Sequence, residues 1–522
     1  MKQSKRIAIN AVSSWAGIFA NAVVLIFLTK FLLNRLGSER FGMFRYVITI
    51  QGSLLFLDLG LGGTLNRFVS RFLAIDNLQK LNAAISFATL LFLGLGVVAG
   101  LILSCLGFFL PNLVVGCSPE LYRSGLLLMV CIGGTLAIRF WGYAPRGVLF
   151  GSQRYDVVNI ILTSSAFLRA VVITVLFLVI RSSGLVTIGL CFLGCAALET
   201  ILMWIFAKWE YPHMRLGLEM MDKATVKEVI GFSVWVLLMG VTTMLIVNMP
   251  VFFVGRLYGS VYVAFYSLSV LVISQIQQIS GGFAFVLIPV AGKYGLSEDR
   301  SILKDIMVRG TKFCAMMCFP LGATVTILAQ PLFEWFKEGF GWTWVLLAIM
   351  MPAMLVRTTQ RVSFSVLMGA GSVKWLALGQ IILVLVIGLL SWLFAVYFNM
   401  RLYGIALGSA IPVFLFSVIF GPVYACRQIG INWRGYLARA YGHILLCTLP
   451  SAALGLVFIR VIYPEGLFMI CIEGLLCLGL FAVCAWRFTL TVTERDQVLA
   501  LFRRSVVQSE VPNSTSEEEQ VG

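Results

Sequence analysis

The sequence predicts an all-α, polytopic membrane protein with about fourteen spanning helices. Composition is the first reason: of 522 residues, 60% are apolar, only 12% are charged, and the mean hydropathy is +0.96. A dissolved domain of this length carries roughly twice that share of charge. The second reason is that the apolar residues come in runs of about twenty or more, each able to cross a hydrocarbon core of roughly 30 Å. Third, these runs are continuous rather than alternating, which selects helices over a β-barrel.

Taken in order, the spans fall near 7–33, 45–65, 83–110, 124–148, 157–180, 185–207, 229–254, 262–290, 313–332, 344–367, 376–398, 403–426, 441–460 and 467–486. The opening Met-Lys-Gln-Ser-Lys-Arg resembles the basic start of a signal peptide. The apolar run after it is too long for one and lacks a small-residue cleavage site, so it reads as the first span. Connections expected on the outside are short, the longest lying around Pro111–Arg123. Those expected inside, notably Lys208–Glu228 and Gly292–Lys312, are longer and charged. After the last span, charges alternate with Val498, Leu499, Leu501 and Phe502 over Thr493–Val507, as in a helix lying on the inner interface. The final acidic stretch reads as disordered.

The net charge of +16 is mainly a topology signal. With the N-terminus inside, about 28 of the 39 Lys and Arg fall at the inner face, so both termini are expected in the cytoplasm. No basic segment is large enough for a separate nucleic-acid-binding domain, and no nucleic-acid partner is expected. Of the 12 Cys, only Cys117 falls clearly in an external loop, which excludes an extracellular disulfide framework. Cys191/Cys195 and Cys314/Cys318 have one-turn spacing but no nearby His or acidic partner, so they read as small packing residues. His213 and His443 have no ligand-spaced neighbour; no metal site and no cofactor are expected.

An internal repeat organises the chain. Arg35-Leu36, Phe41 and Phe44 map at a shift of 221 onto Arg256-Leu257, Tyr262 and Phe265. Val148-Leu149-Phe150-Gly151 maps at a shift of 218 onto Val366-Leu367-Met368-Gly369, and the same shift carries Arg139 onto Arg357. Six spans, an even number, separate the units, so the halves share one orientation and an axis along the membrane normal. The expected organisation is two pseudo-symmetric six-helix lobes, 1–228 and 229–426, an extra helix pair at 427–488, and a cytoplasmic tail at 489–522.

Several strings carry a family resemblance: Arg35-Leu36-Gly37-Ser38-Glu39-Arg40-Phe41-Gly42-Met43-Phe44, Leu57-Asp58-Leu59-Gly60-Leu61-Gly62, Arg67, and Ser70-Arg71-Phe72-Leu73-Ala74. They resemble the polysaccharide-unit (Wzx-type) flippases of the multidrug/oligosaccharidyl-lipid/polysaccharide exporter superfamily. The resemblance covers roughly 1–426; many members of that branch have twelve spans, and the extra pair here departs from the pattern. It implies a V-shaped, MATE-like carrier in the cytoplasmic membrane, with a cavity lined largely by the first, second, seventh and eighth spans. Its implied substrate is a lipid-linked oligosaccharide, turned to the outer leaflet for surface polysaccharide assembly. Membrane lipids and polysaccharide assembly proteins are the expected partners.

Such a substrate needs fixed positive charge for its diphosphate and hydrogen-bonding groups for its sugars. Arg serves the first need because its planar guanidinium grips phosphate oxygens in pairs and stays charged. Arg169 is the most central Arg: it reads either as a cavity cation or as half of a buried ion pair with Glu199 or Asp58. Arg139 and Arg357, in the inner halves of their spans, mark the inner mouth or snorkel to headgroups. Arg67 and Arg361 lie nearer the interface. Asp58, in a glycine-rich stretch, and Glu199 are the coupling candidates, with a structural hydrogen bond as the alternative for Asp58. Asn21, Gln51, Asn248, Gln275, Gln277 and Gln278 offer donors and acceptors to sugars, or else join helices. Glu473 lies in the extra pair, away from the expected cleft.

No nucleotide-binding loop, zinc spacing or external acid/base pair points to an enzyme. A flippase is the leading reading. A drug or metabolite antiporter on the same fold is expected to have a more acidic cavity. A glycan polymerase or ligase is expected to have a sizeable extramembrane loop, which is missing from this sequence.

Overall fold

The computed structural model describes residues 2–58, 61–75, 77–179, 184–217, 219, 234–294, 301–369, 374–492 and 494–496; side chains before Ala16, at 56, 61–64, 67 and 74, and within 234–237 and 279–294 are not described. Among the described residues the chain is helical throughout, with no strand. Thirteen helices among the described residues are long and apolar enough to cross a membrane. The first of them, Ala16–Leu54, has 39 residues. At 1.5 Å per residue that is roughly 58 Å, about twice a hydrocarbon core. It is in fact two helices joined at Gly37, whose φ of 76° and ψ of 168° are non-helical. An L side chain rarely adopts that φ, so glycine permits the reversal here. Counted as two, these segments recover the fourteen expected spans.

Several boundaries differ from expectation. The second span does not run intact to residue 65: helix stops at Leu54, a 3-10 turn covers Leu55–Asp58, and a new helix covers Leu61–Ala74. Asp58 and the glycines after it offer the backbone alternatives to the helical ladder. The expected span at 124–148 is broken at Gly142 into Pro119–Trp141 and Tyr143–Gly151. The one at 344–367 is broken at Gln360 into Trp344–Thr359 and Arg361–Gly369. The stretch 301–312, expected as loop, continues the helix Ser301–Ile327; an Asp305–Arg309 ion pair one turn apart supports it there. Ser118 caps the Pro119 helix by accepting from the Leu121 N–H at 3.3 Å, with proline at the first position, where its missing N–H costs nothing. The extra pair is His443–Val461 and Leu467–Phe488. The expected interfacial helix and acidic tail beyond residue 496 lie outside the described residues.

Element bounds follow the sequence repeat. Tyr143–Gly151 becomes Arg361–Gly369 at the shift of 218, and each short helix begins four residues after the paired Arg139 or Arg357. Helix starts at Tyr155 and Leu185 map to within two residues of those at Lys374 and Arg401.

Packing joins the two halves of the chain at the end that carries Gly37. The Asn34 amide donates to the Phe336 carbonyl at 2.9 Å, and Lys337 donates to the Ser38 hydroxyl at 3.2 Å. Val115 N–H donates to the Gly255 carbonyl at 3.2 Å, and Arg45 reaches the Ser267 carbonyl at 3.5 Å. Gly42 lies so close to the Ser260 carbonyl that a Cβ has no room. Deeper along the same helices, Asn248 donates to Ser53 at 2.9 Å. The buried apolar cluster around Leu33, Phe41, Val254 and Ala264 runs through both halves. At the opposite end the first half holds a core of its own, around Val69, Phe92, Leu136 and Phe140. Outward-facing Leu385, Leu389, Leu446, Leu449, Leu475 and Val483 are exposed, an apolar perimeter suited to lipid.

Candidate functional site

A cluster of charged side chains within the spans lies in the first half. Gly142 ends one helix beside the Thr200 hydroxyl, and Thr200 donates to the Ile138 carbonyl at 3.3 Å. That contact fixes the break between Arg139 and Arg146 against the helix bearing Glu199. Arg139 Nη2 lies 3.6 Å from Glu199 Oε2, with the two side chains 30% and 13% exposed. Ser165 donates to the same carboxylate oxygen at 3.1 Å. Arg169 lies one helical turn beyond Ser165, and its guanidinium carbon stands 4.6 Å from the centre of the Phe192 ring. Arg146 lies over Phe150 at 5.1 Å. The Nε groups of Arg139, Arg146 and Arg169 are all buried without a hydrogen-bond partner.

These groups feel one another. Arg139 and Glu199 act electrostatically on both Arg146 and Arg169, and Tyr143 senses Asp58, Arg146, Arg139 and Glu199. Three guanidiniums thus share one neighbourhood with two carboxylates, leaving an excess of positive charge. With unused Nε donors, the arrangement suits an anion. Of the two readings of Arg169, no ion pair to Glu199 forms: Glu199 pairs with Arg139, and Arg169 stands against an aromatic face.

The second half does not copy this cluster. At the shift of 218, Glu199 falls on Ser417, Arg146 on Phe364 and Arg169 on Ile387. Arg357 is 8% exposed, feels the charge of Arg361, and forms no ion pair with a described residue. It is buried rather than snorkelling. Nearby, Gln360 donates to the Tyr441 hydroxyl at 2.8 Å, and the Thr359 and Tyr441 hydroxyls lie 2.7 Å apart. Tyr436 joins Thr311 and Ser363 at 2.9 and 2.8 Å, so this polar knot ties the start of the extra pair to the second half.

The remaining candidates are dispersed. Asn21 donates to the Gly17 carbonyl at 2.8 Å and to Thr163 at 3.4 Å, and Asn248 to Ser53, so both join helices. Gln51 is buried, Gln275 half-buried and Gln278 exposed. Gln277 helps line a small cavity with Tyr266, Ser274 and Met354. Asp58 lies within electrostatic reach of Tyr143. Arg67 belongs to Leu61–Ala74, but its side chain lies outside the described residues. Arg146 is the site residue that the sequence analysis passed over. Its signal was available: it follows Arg139 by seven positions, two helical turns, within the expected span at 124–148.

Comparison with known proteins follows the same line. A family model described as polysaccharide biosynthesis protein matches residues 146–348. A Bacillus subtilis (strain 168) relative, the uncharacterized membrane protein EpsK, is 21% identical over 518 residues, covering 96% of this chain and 99% of the relative. An inward-facing multidrug resistance MATE family transporter of the MOP superfamily superposes with a TM-score of 0.67 at 14% identity, over 80% of this chain and 98% of its own. A MOP superfamily transporter from Pyrococcus furiosus, described as having a binding pocket of reverse polarity, gives 0.62 at 15% identity, over 82% and 96%. Family match, near full-length relative and shared fold agree: the chain is a multi-pass, all-α membrane protein on a MATE-like fold, similar to polysaccharide-biosynthesis membrane proteins.

Proposed function

We propose that the protein turns lipid-linked oligosaccharide units across the cytoplasmic membrane for surface polysaccharide assembly. The observation that supports this best is the gathering of Arg139, Arg146 and Arg169 around Glu199 within the spanning helices. A diphosphate brings the negative charge that this excess of guanidinium groups matches, and it accepts from paired N–H groups. A carrier of cationic drugs calls for the opposite balance.

In this reading residues 1–228 and 229–426 are two lobes that rock about a cleft. The Gly37 end faces outward, and both termini lie in the cytoplasm. Closure at the Gly37 end then leaves the Arg cluster open toward the inner leaflet, where the substrate is made. Gln51, Gln275 and Gln278 take sugar hydroxyls, while Asn21 and Asn248 keep their helix-joining bonds. Arg357 stands at the inner approach, and Asp58 with Glu199 carries any coupling ion. Membrane lipids and polysaccharide assembly proteins are its partners.

Reconstitution tests the reading. Purified protein in vesicles, loaded with a fluorescent polyprenyl-diphosphate oligosaccharide, should make the sugar accessible to an added lectin at least ten times faster than protein-free vesicles. No acceleration, together with discharge of a cationic drug gradient, would replace the flippase with an antiporter.

A further inference from the structure

The extra helix pair holds an ionisable group that the transport site does not use. Glu473 lies six residues into the Leu467–Phe488 helix, roughly 9 Å along its axis. Its side chain is 4% exposed, and both carboxylate oxygens are buried without a hydrogen-bond partner.

Every packed neighbour leaves it unanswered. On its own helix, Cys477 one turn on interacts with it electrostatically, and adjacent Gly474 faces Leu328 and Thr324. The helix Ser301–Ile327 presents Thr324, while its Lys312 is bound to Glu494. On Ala329–Phe336, Glu334 is occupied by the N–H groups of Gly339 and Gly341. On His443–Val461, Ser451 donates to the Cys477 carbonyl, and Arg460 is exposed. No cation therefore faces Glu473 among the described residues.

An ionised carboxylate buried without a partner is strongly disfavoured, and such a group takes up a proton instead. A bound metal ion calls for several oxygen ligands, and no group of three metal-ligating side chains exists among the described residues. We propose that Glu473 is a proton-binding site at the seam between the extra helix pair and the second half, occupied while the pair is docked. Parting the seam wets the carboxyl and releases one proton; docking takes one up. The proposal does not depend on which substrate the Arg cluster binds.

Infrared spectroscopy of the full-length protein in phospholipid vesicles at pH 7 tests it. Wild type should show a carboxylic-acid carbonyl band that shifts in heavy water, and Glu473→Gln should lack it. Glu473→Met, which keeps the seam apolar, supplies the reference if the Gln variant does not fold. The same acid band in wild type and variant, or none in either, would overturn the proposal.

Discussion

Glu199 takes Arg139 as its partner at 3.6 Å and leaves Arg169, one turn beyond Ser165, on the face of Phe192. One carboxylate is thus spent on the inner Arg, and the more central Arg keeps its Nε donor unused. On the proposed reading the ion pair is a further duty of Arg139 that Arg169 does not share, so mutations can tell the two apart.

Arg169→Ala should leave the folded yield near wild type, because no buried carboxylate loses its ion pair. Translocation should fall at least tenfold. Arg169→Lys should recover part of it, since an ammonium keeps the charge but loses the two-pronged grip. Detergent-extracted folded protein and vesicle translocation check both halves of the prediction.

Arg139→Ala should behave differently. It strands Glu199 with only the Ser165 hydroxyl, at a cost of about 1–3 kcal/mol in stability. Adding Glu199→Gln should restore most of the folded yield, read by thermal unfolding in detergent. Equal yields for Arg139→Ala and wild type would remove the structural role of the pair.

Gly42→Val places a side chain where the Ser260 carbonyl already sits. Overpacking of this kind costs about 1–3 kcal/mol, charged here to the joined arrangement of the two halves. Spin labels at Ser38 and Lys337, whose side chains are bonded at 3.2 Å, should then show a new population at wider separation. An unchanged distance distribution would mean that this contact does not hold the end shut.

Orientation is open to labelling in intact cells. With Cys117→Ser as background, Glu338→Cys should react with an impermeant maleimide from outside. Gln79→Cys should react only after permeabilisation. Reversed labelling would turn the protein over in the membrane.

Glu494 provides a pH test. Burial alone raises its carboxyl, but hydrogen bonds from Lys312 at 2.7 Å and the Thr491 N–H at 2.8 Å outweigh that and hold it below the usual 4.5. A lowered folded value means that the contribution is complete above about pH 4.5 and fades as pH falls through the folded value. Hydrogen exchange over residues 489–496 should therefore be faster in Glu494→Gln than in wild type at pH 7. The difference should vanish in acid, after correction for intrinsic rates.

The sequence by itself determined the membrane class, the order of the spans, the repeat at 218, the short connection between the first two spans and the deep Arg at 169. Each rests on a local or periodic property: run length, charge placement or the spacing of matching residues. The breaks at Gly142 and Gln360 were out of reach, because a hydropathy run continues smoothly across them. Only the tertiary structure decided that Glu199 answers Arg139, that Arg146 joins the cluster, and that Glu473 is left alone. Pairing depends on the rotation of one helix against another, and packing over the whole helix face sets that angle. The charges within a span follow it and do not choose it.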